Sequence, residues 1–417
     1  MSLPHSADVI VLGAGMVGVS TALHLRKRGR EVVLIDRRGA GEETSYGNTG
    51  IIQREGVVPY PFPRQVGLIA QYALNLRTEA NLHWSALPTI APWLYRYWRA
   101  STPRMLAATS RAAKPLIERC ILEHEALMGE AGILGMVRRT GYLRLYRSPR
   151  ALAAAMEKEE ADRKAYGVKF ELVDQRRLPE LEPHIRGPNA GGVLMTEPVS
   201  VADPGAVTKA YARLFQEQGG RFVQGDARML TRIAAGWQVR TSEGPMLAPA
   251  VVIALGPWSE DVYRPLGLTF PFGVKRGYHM HFKPEGNATL NRPVIDAEYG
   301  YVITPMARGI RLTTGAEFAL RDAPPTPVQV DRAEALARDI FPLGERVDDT
   351  PWLGRRPCLP DMLPVVGPAP RVEGLWLNFG HHHLGFTLGP VTGRLLAEMM
   401  SGETPFTDPS PYRADRF

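Results

Sequence analysis

Two cysteines in 417 residues, Cys120 and Cys358, leave no disulfide framework and no cysteine-based metal cluster to build a fold around. That scarcity fits a reducing compartment, and the expected location is the cytoplasm. Long hydrophobic runs are missing as well. Nothing approaches the roughly 18 uninterrupted apolar residues of a spanning helix, so a soluble or membrane-peripheral protein is expected. The opening MSLPHSADVIVLG puts an apolar strand almost at residue 1, and no cleavable signal is expected there. Internal repeats and low-complexity tracts are lacking too. With 44% hydrophobic and 22% charged residues the composition is that of an ordinary folded chain. Its length suits about two domains.

Negative charge is the sign in short supply, and the formal net charge is +7. Such a field favours anionic substrates, anionic lipid or RNA. An arginine-rich composition with scattered basic residues accounts for it equally well, so charge alone assigns no partner.

What is present begins at Asp8. Residues 8–36 read DVIVLGAGMVGVSTALHLRKRGREVVLID. The apolar strand Val9-Ile10-Val11-Leu12 runs into Gly13-Ala14-Gly15-Met16-Val17-Gly18. An amphipathic helix follows, and a second apolar strand, Val32 to Ile35, ends on Asp36. Each part has a mechanical task in binding a dinucleotide. Gly13 permits a tight turn, Gly15 lets backbone approach a pyrophosphate, and Gly18 lets helix and strand pack closely. The helix N-terminus offers unpaired N–H groups and a positive dipole end to phosphates, and Asp36 is placed to accept hydrogen bonds from a ribose diol. A lone G-x-G-x-x-G is a weak signal. With both strands, the helix and the terminal acid in place, it predicts a dinucleotide site.

Farther along, Gln65 to about Gly129 is helical in pattern, with Trp93 over Tyr97 and Leu94 over Trp98 at i, i+4. With Arg96, Arg99 and Arg104 nearby, this aromatic helix either lies on a membrane surface or packs on its own domain. Residues 141–147 alternate like a strand, and 148–166 read as a charged helix. A helix over 203–219 leads to strand-like segments at 221–225, 237–240 and 250–254, which predict a return to the nucleotide sheet. Segments 278–282, 301–304 and 311–315 predict an antiparallel sheet in a second domain. Pro324 to Pro327 stiffens the approach to a short helix, and a last helix spans about 385–401. The expected fold class is α/β with an α+β second domain. A Rossmann-like nucleotide domain built from 1–60, 196–270 and 345–417 is interleaved with a substrate domain built from 61–195 and 271–344.

Four further segments separate a flavin enzyme from a nicotinamide one. After Asp36 come Arg37, Arg38 and then Glu43 to Gln53, a polar, glycine-rich loop able to fold over a long flat cofactor. Nicotinamide enzymes usually continue straight into a helix there. Ala254-Leu255-Gly256-Pro257-Trp258-Ser259 ends a strand on a small residue, where backbone passes close to a ligand. Gly354-Arg355-Arg356-Pro357 precedes Asp361 to Gly367, and Gly380-His381-His382-His383-Leu384-Gly385-Phe386-Thr387-Leu388-Gly389-Pro390 opens the last helix. In this order and spacing the segments resemble the FAD-dependent amine oxidoreductases of the D-amino-acid oxidase type. The resemblance is closest to the bacterial D-amino-acid dehydrogenase small subunits, with glycine and sarcosine oxidases more distant. It covers the whole chain, specifically at both ends and in general character between about 60 and 200.

The resemblance implies FAD, bound noncovalently. Gly13, Gly15, Met16, Val17, Gly18 and Asp36, with Arg37 and Arg38, are implied to hold the ADP part. Ser45, Asn48, Thr49, Gly50, Ile51 and Gln53 line the pyrophosphate and isoalloxazine, and backbone near Arg228 meets the adenine. Gly256, Trp258, Gly354, Arg356, Gly380, His383 and Leu384 lie beside the cofactor. Gly385, Phe386 and Thr387 turn N–H groups to the flavin pyrimidine edge, where a helix N-terminus stabilises the negative charge of the reduced ring. Arg356 is also implied to bind the substrate carboxylate, since a guanidinium offers two parallel N–H donors matched to it. Tyr278, His279 and Tyr301 are either substrate contacts or plain sheet residues, and His383 is a candidate for the substrate mouth. Neighbouring histidines point in different directions and no second ligand cluster lies near them, so no metal is expected.

This sequence departs from the family pattern in three places. The ribose acid is Asp36 where the family more often has Glu. Sarcosine-oxidase-like members carry an oxygen-activating Lys where this chain reads Gly309-Ile310-Arg311-Leu312, so a quinone or another electron-transfer acceptor is favoured over oxygen. Cys358 does not match the spacing of the cysteine that tethers flavin in sarcosine oxidases. The activity implied is oxidative deamination of an amino acid by hydride transfer from Cα to flavin N5. The substrate implied is a D-amino acid, with D-proline or a hydroxyproline as candidates, and no catalytic acid or base is assigned. Peripheral contact with the inner membrane is left open. An oxygen-using glycine or sarcosine-type oxidase and a noncatalytic flavin subunit are the alternatives, together with a tRNA-modifying FAD enzyme. No nucleic-acid partner is expected, because a fused methyltransferase domain and a basic-aromatic stripe are both lacking.

Overall fold

A computed structural model describes residues 5–417. Its first sheet has six strands in the order Arg221–Gln224, Val32–Asp36, Val9–Leu12, Ala250–Ile253, Leu375–Phe379 and Val365–Pro368. The first five run parallel and the last antiparallel. Strands covered on both faces must be apolar throughout, which is why these segments read as unbroken hydrophobic runs. Successive side chains then serve opposite cores. Val9 and Val11 pack under the helices Met16–Arg26, Pro204–Glu217 and Gly385–Met400. Ile10 and Leu12 pack with Trp237, Val239, Met246 and Ala248 of a smaller sheet.

That smaller sheet corrects one expectation. Gly236–Thr241 does not rejoin the nucleotide sheet but pairs antiparallel with Thr231–Ile233 and Gly244–Ala248 as a separate four-stranded layer. Two-residue turns return the chain at once, and a hairpin of this kind cannot enter a parallel sheet, which needs a crossover between neighbours.

The closing helix lies directly on the first one. A Cβ on Gly389 would come within 2.7 Å of Met16 Cγ, and one on Gly393 within 2.8 Å of the Ser20 carbonyl carbon. Because Gly389 meets Met16 and Gly393 meets Ser20, the two helices run in the same direction. Both N-termini therefore open at one end of the sheet.

The second large sheet has eleven strands and is mixed. Its centre is Gly273–Pro284, which pairs antiparallel with Gly309–Thr313, Leu343–Arg346 and Trp352–Cys358. Val294–Asp296 pairs parallel with Tyr142–Tyr146, and Ala316–Phe318 pairs parallel with Ala80–Leu82. Two segments lie across the expected domain boundaries. Trp352–Cys358 belongs to this sheet, although 345–417 was expected with the nucleotide domain. Helix Pro103–Glu130, expected with the substrate domain, buries Leu116, Ile117, Cys120, Leu127 and Met128 in the nucleotide core. Sequence spacing shows neither, since both are settled by which apolar face finds a partner.

Several helix ends are fixed locally. Thr102, Ser148 and Asp203 accept hydrogen bonds from the backbone N–H three residues on, at the starts of Pro103–Glu130, Pro149–Tyr166 and Pro204–Glu217. In the aromatic helix Leu87–Ala100, Trp93 and Tyr97 are buried against the second domain while Tyr95, Arg96 and Arg99 face outward. Its inner face packs as an ordinary domain helix does.

Candidate active site

Between the two large sheets lies a cavity of about 930 Å³. That is near the upper end of the roughly 300–1,000 Å³ usual for ligand sites. The nucleotide end is built by the first turn. Gly13 adopts φ +104°, and a Cβ there would lie 2.5 Å from the Ala254 carbonyl oxygen. A Cβ on Gly18 would lie 1.7 Å from the Gly13 oxygen. These two glycines are demanded by protein packing, and Gly18 does not itself border the cavity. Gly15 differs. Its backbone is extended, and the nearest protein atom to an added Cβ is Ser45 Oγ at 3.4 Å. The protein leaves that space open, towards the cavity that Gly15, Met16 and Val17 line.

Asp36 is tied to the same turn. Its Oδ2 accepts from Ala14 N at 2.7 Å and its Oδ1 from Arg38 N at 3.0 Å, and burial raises its pKa against those donors. Arg37 lies over the Trp258 ring at 4.9 Å and pairs with Glu43. Arg38 turns outward to Glu43 and does not border the cavity. Arg228 is exposed and paired with Asp226, so the wall there belongs mainly to local backbone.

The polar loop then crosses the cavity. Ser45 Oγ accepts from Met16 N at 2.9 Å, joining the loop to the first helix. Asn48 Oδ1 accepts from Gly50 N at 2.9 Å, and Gly50 sits at φ +73° under the Val201 carbonyl. Thr49, Ile51 and Gln53 line the wall beyond. Thr387 Oγ1 accepts from Gln53 N at 3.2 Å and donates to Ile51 O at 3.3 Å. Thr387 thus clamps the loop to the closing helix, while Gly385 and Phe386 of its first turn border the cavity. Gly256, Trp258, Gly354 and Leu384 are at the wall as well. Gly380 is not, because its φ of +88° serves a turn packed on Leu359.

The three histidines have three different surroundings. His381 is buried against Thr392 Oγ1 at 3.0 Å, and His382 Nε2 accepts from Leu359 N at 3.2 Å. His383 faces Tyr60, with ring centroids 5.1 Å apart. Burial, helped by the Arg356 and Lys275 charges, takes its pKa down to about 3, so the imidazole is neutral.

Arg356 stands opposite Lys275 in antiparallel register, and both border the cavity. Like charges directly opposite on neighbouring strands repel. Among the described residues neither cation has a carboxylate partner. The Arg356 Nη1 donates to Gly315 O at 2.7 Å and to Arg276 O at 3.3 Å, and Nη2 donates to Thr314 O at 3.3 Å. Burial lowers its pKa. The Lys275 ammonium lies 3.9 Å from the Tyr97 ring centroid, with Trp93 and Phe318 farther off.

Other expected contacts are committed elsewhere. Tyr278 touches the cavity, but its hydroxyl donates to Glu317 Oε2 at 2.9 Å and accepts from Arg276 and from Thr326 N. His279 stacks on Trp352 at 4.8 Å, and burial takes its pKa down to about 2. Tyr301 Oη accepts from Arg147 Nη2 at 3.2 Å in the second-domain core. Neither His279 nor Tyr301 borders the cavity. Arg311 is also outside it, buried beneath the loop and donating to the Tyr46 and Asn48 carbonyls.

Residues 8–399 match the profile of the DAO family, described as FAD dependent oxidoreductase. The chain belongs to that family. A D-amino-acid oxidase from Bradyrhizobium diazoefficiens is 29% identical over the full length of both chains. A D-amino acid dehydrogenase from Cereibacter sphaeroides is 31% identical over 98% of this chain and 95% of its own. In fold, the glycine oxidase from Geobacillus kaustophilus matches 99% of each chain with a TM-score of 0.73 at 20% identity. The L-proline dehydrogenase from P. horikoshii gives the same score and identity over all of this chain and 98% of its own.

The residues present fit FAD. Open space over Gly15, two parallel helix N-termini, a buried acid at Asp36 and a long cavity past the polar loop meet the needs of a dinucleotide with a flat ring system. In this FAD-dependent oxidoreductase, sequence reasoning missed Lys275, Glu55, Tyr60 and Arg144, all at the cavity wall. Lys275 had no local signal, because its importance lies in the strand paired with it.

Proposed function

We propose that this FAD-dependent oxidoreductase oxidises a D-amino acid, or a similar carboxylated amine, at the Cα–N bond. The observation that supports this best is the pair Lys275 and Arg356, two cations side by side at a cavity wall with no carboxylate among the described residues to neutralise them. A substrate carboxylate supplies the missing charge, taken by the planar donors of Arg356 and the field of Lys275. FAD, held by the first turn, Asp36 and the polar loop, would supply the acceptor for the hydride from Cα, and the imine product would hydrolyse in water. The N-terminus at Gly385 and Phe386 sets a positive potential at the wall where the flavin pyrimidine edge would lie. Tyr60 and neutral His383 shape the mouth. The D-configuration is supported by the full-length relatives, which are named for D-amino acids. Noncovalent binding is supported by Cys358, a buried thiol whose pKa burial raises, so that thiolate is scarce. The test is anaerobic flavin bleaching against D- and L-amino acids, D-proline and hydroxyprolines, N-methylglycines and carboxylate-free amines. Bleaching by the amines alone would overturn the reading.

We infer a quinone or similar acceptor docked at a membrane from a second observation. The basic residues are not scattered as expected. Between Gly56 and Ile117 seven Lys or Arg residues accompany one acid, Glu79. Among the described residues only Arg77 and Lys114 of the seven have carboxylate partners. The helix Val66–Ala73 buries none of its apolar side chains, and Val66, Leu74, Leu76, Trp84 and Tyr95 are exposed. A basic and apolar surface suits anionic lipid. No helix of the described residues is long and apolar enough to cross a membrane.

A further inference from the structure

The cavity wall also holds a carboxyl group without a cation. Glu55 is buried just after the short strand Ile51–Ile52. Its Oε1 accepts from Tyr142 Oη at 2.8 Å and from Gln53 Nε2 at 3.2 Å, whereas its Oε2 has no hydrogen-bond partner among the described residues. Neither neighbouring cation bonds Glu55 Oε2. Arg144 donates to Glu159 through Nη1 and to Tyr142 Oη through Nη2, and Arg54 pairs with Glu118. A carboxyl needed only to receive the Tyr142 hydroxyl has no use for a second, unbonded oxygen inside the protein, where an unmade hydrogen bond is a net loss.

Glu55 belongs to the same end of the cavity as the two free cations. The Lys275 ammonium lies over the Tyr97 ring, the Tyr97 hydroxyl donates to Tyr60 O, Tyr60 faces His383, and a Cβ on Gly56, next to Glu55, would lie 3.5 Å from Leu384 Cδ2. One end of the cavity thus presents unpaired positive groups and one unpaired carboxyl. That is the complement of a zwitterion.

We infer that Glu55 Oε2 accepts a hydrogen bond from the substrate nitrogen and takes its proton, so that the amino acid is held at both charged ends. This rests on the proposed amino-acid reading of the same site. An ammonium nitrogen has no free electron pair with which to form the C=N bond. In the step assigned to Glu55 an N–H bond of the ammonium breaks and an O–H bond forms at Oε2, leaving a neutral amine. The titratable and charged groups facing this carboxyl are Tyr142 and Arg144 on one strand, Cys120 on helix Pro103–Glu130, Arg54 beside it, Tyr60, and Glu159 behind Arg144. Desolvation raises the Glu55 pKa above the ordinary carboxylate range, against the lowering effect of Arg144 and the two donors on Oε1. A carboxylate so raised is a better proton acceptor.

The experiment uses the FAD-loaded enzyme and three probes, D-alanine, D-proline and propionate, the last a carboxylate without an amine. Glu55→Gln is expected to keep propionate affinity, read from flavin absorbance, within about twofold. It should raise KM for the amino acids more than about tenfold and abolish the acidic limb of the kcat/KM pH profile. Tyr142→Phe retains Glu55 but removes a hydrogen bond to its charged form, so the acidic limb should move to higher pH. That variant decides the question if Glu55→Gln does not fold. An unchanged KM and acidic limb in Glu55→Gln, or an unmoved limb in Tyr142→Phe, overturns the role of Glu55. Propionate binding that is indifferent to Arg356→Ala overturns instead the carboxylate reading on which it rests.

Discussion

Gly277 is the space in which the guanidinium of Arg356 rests: a Cβ built there would lie 2.5 Å from Nη2 and 2.7 Å from Nη1. The obstructing atoms are the far end of a flexible side chain, so Gly277→Ala should fold and displace Arg356. Both Gly277→Ala and Arg356→Ala are expected to raise KM for amino-acid substrates while FAD content stays normal. Removing the charge directly should cost roughly 2–5 kcal/mol of substrate binding, and Arg356→Lys should recover only part of it. Unchanged amino-acid kinetics in Arg356→Ala would take away the main support for a carboxylated substrate.

The glycines of the first turn should separate cofactor binding from folding. Gly15→Val meets little protein, since only Ser45 Oγ lies within 4 Å of the added Cβ. It is expected to fold and lose FAD, giving colourless protein with a near-normal circular dichroism spectrum. Gly18→Ala drives its Cβ into the Gly13 carbonyl and should lower the melting temperature instead. Full flavin content in Gly15→Val would show that the phosphates lie elsewhere.

Turnover with an artificial quinone or dye should exceed turnover with oxygen. Arg311→Lys is not expected to create an oxidase, because residue 311 lies beneath the loop and outside the cavity wall. A lysine cannot bond the Tyr46 and Asn48 carbonyls and His281 Nε2 at once, as Arg311 does through Nη1 and Nε, so the variant should release FAD more readily. Peroxide formation that rises to match dye reduction in Arg311→Lys counts against this arrangement.

Acid should destabilise the folded chain through its buried imidazoles. Burial takes the His124 pKa down to about 4, against about 6.5 when exposed. The unfolded chain therefore takes the proton first as pH falls. The contribution is present above about pH 6.5 and is lost towards and through about pH 4, up to roughly 3 kcal/mol. Asp36, whose carboxyl burial pushes up, works in the opposite direction. His124→Gln retains a donor for the Phe386 carbonyl, and its melting temperature should fall less steeply than wild type between pH 6.5 and 4. Parallel curves would assign the acid sensitivity to other groups.

The basic apolar surface should bind vesicles containing anionic lipid and not neutral ones, and salt should weaken the binding. Replacing Arg96, Arg99 and Arg104 with Gln should reduce co-sedimentation without changing dye-linked turnover in solution. Equal sedimentation with neutral vesicles, or capture only by an acidic protein, would point to a different occupant.

Much of this protein is settled by local sequence. The parallel sheet is legible because strands buried on both faces must be continuously apolar, as Val9–Leu12, Val32–Asp36 and Ala250–Ile253 are. The nucleotide site is legible because Gly13 and Gly18 answer steric demands that only glycine meets, and Asp36 follows at the end of the next strand. Helix starts at Thr102, Ser148 and Asp203 follow from capping three residues ahead. Long-range pairing decided the rest. Lys275 and Arg356 are about eighty residues apart and become a cavity-facing pair only through antiparallel register. Tyr278, His279 and Tyr301 look alike as aromatic or imidazole residues on strands, yet packing commits the first hydroxyl to Glu317, stacks the second on Trp352 and buries the third beside Arg147. The sequence determined the glycine-rich turn, its helix and the acid at Asp36, because that unit is built from consecutive residues. Tertiary structure alone decided which charges face the cavity, because their partners, or the lack of them, arrive from distant parts of the chain.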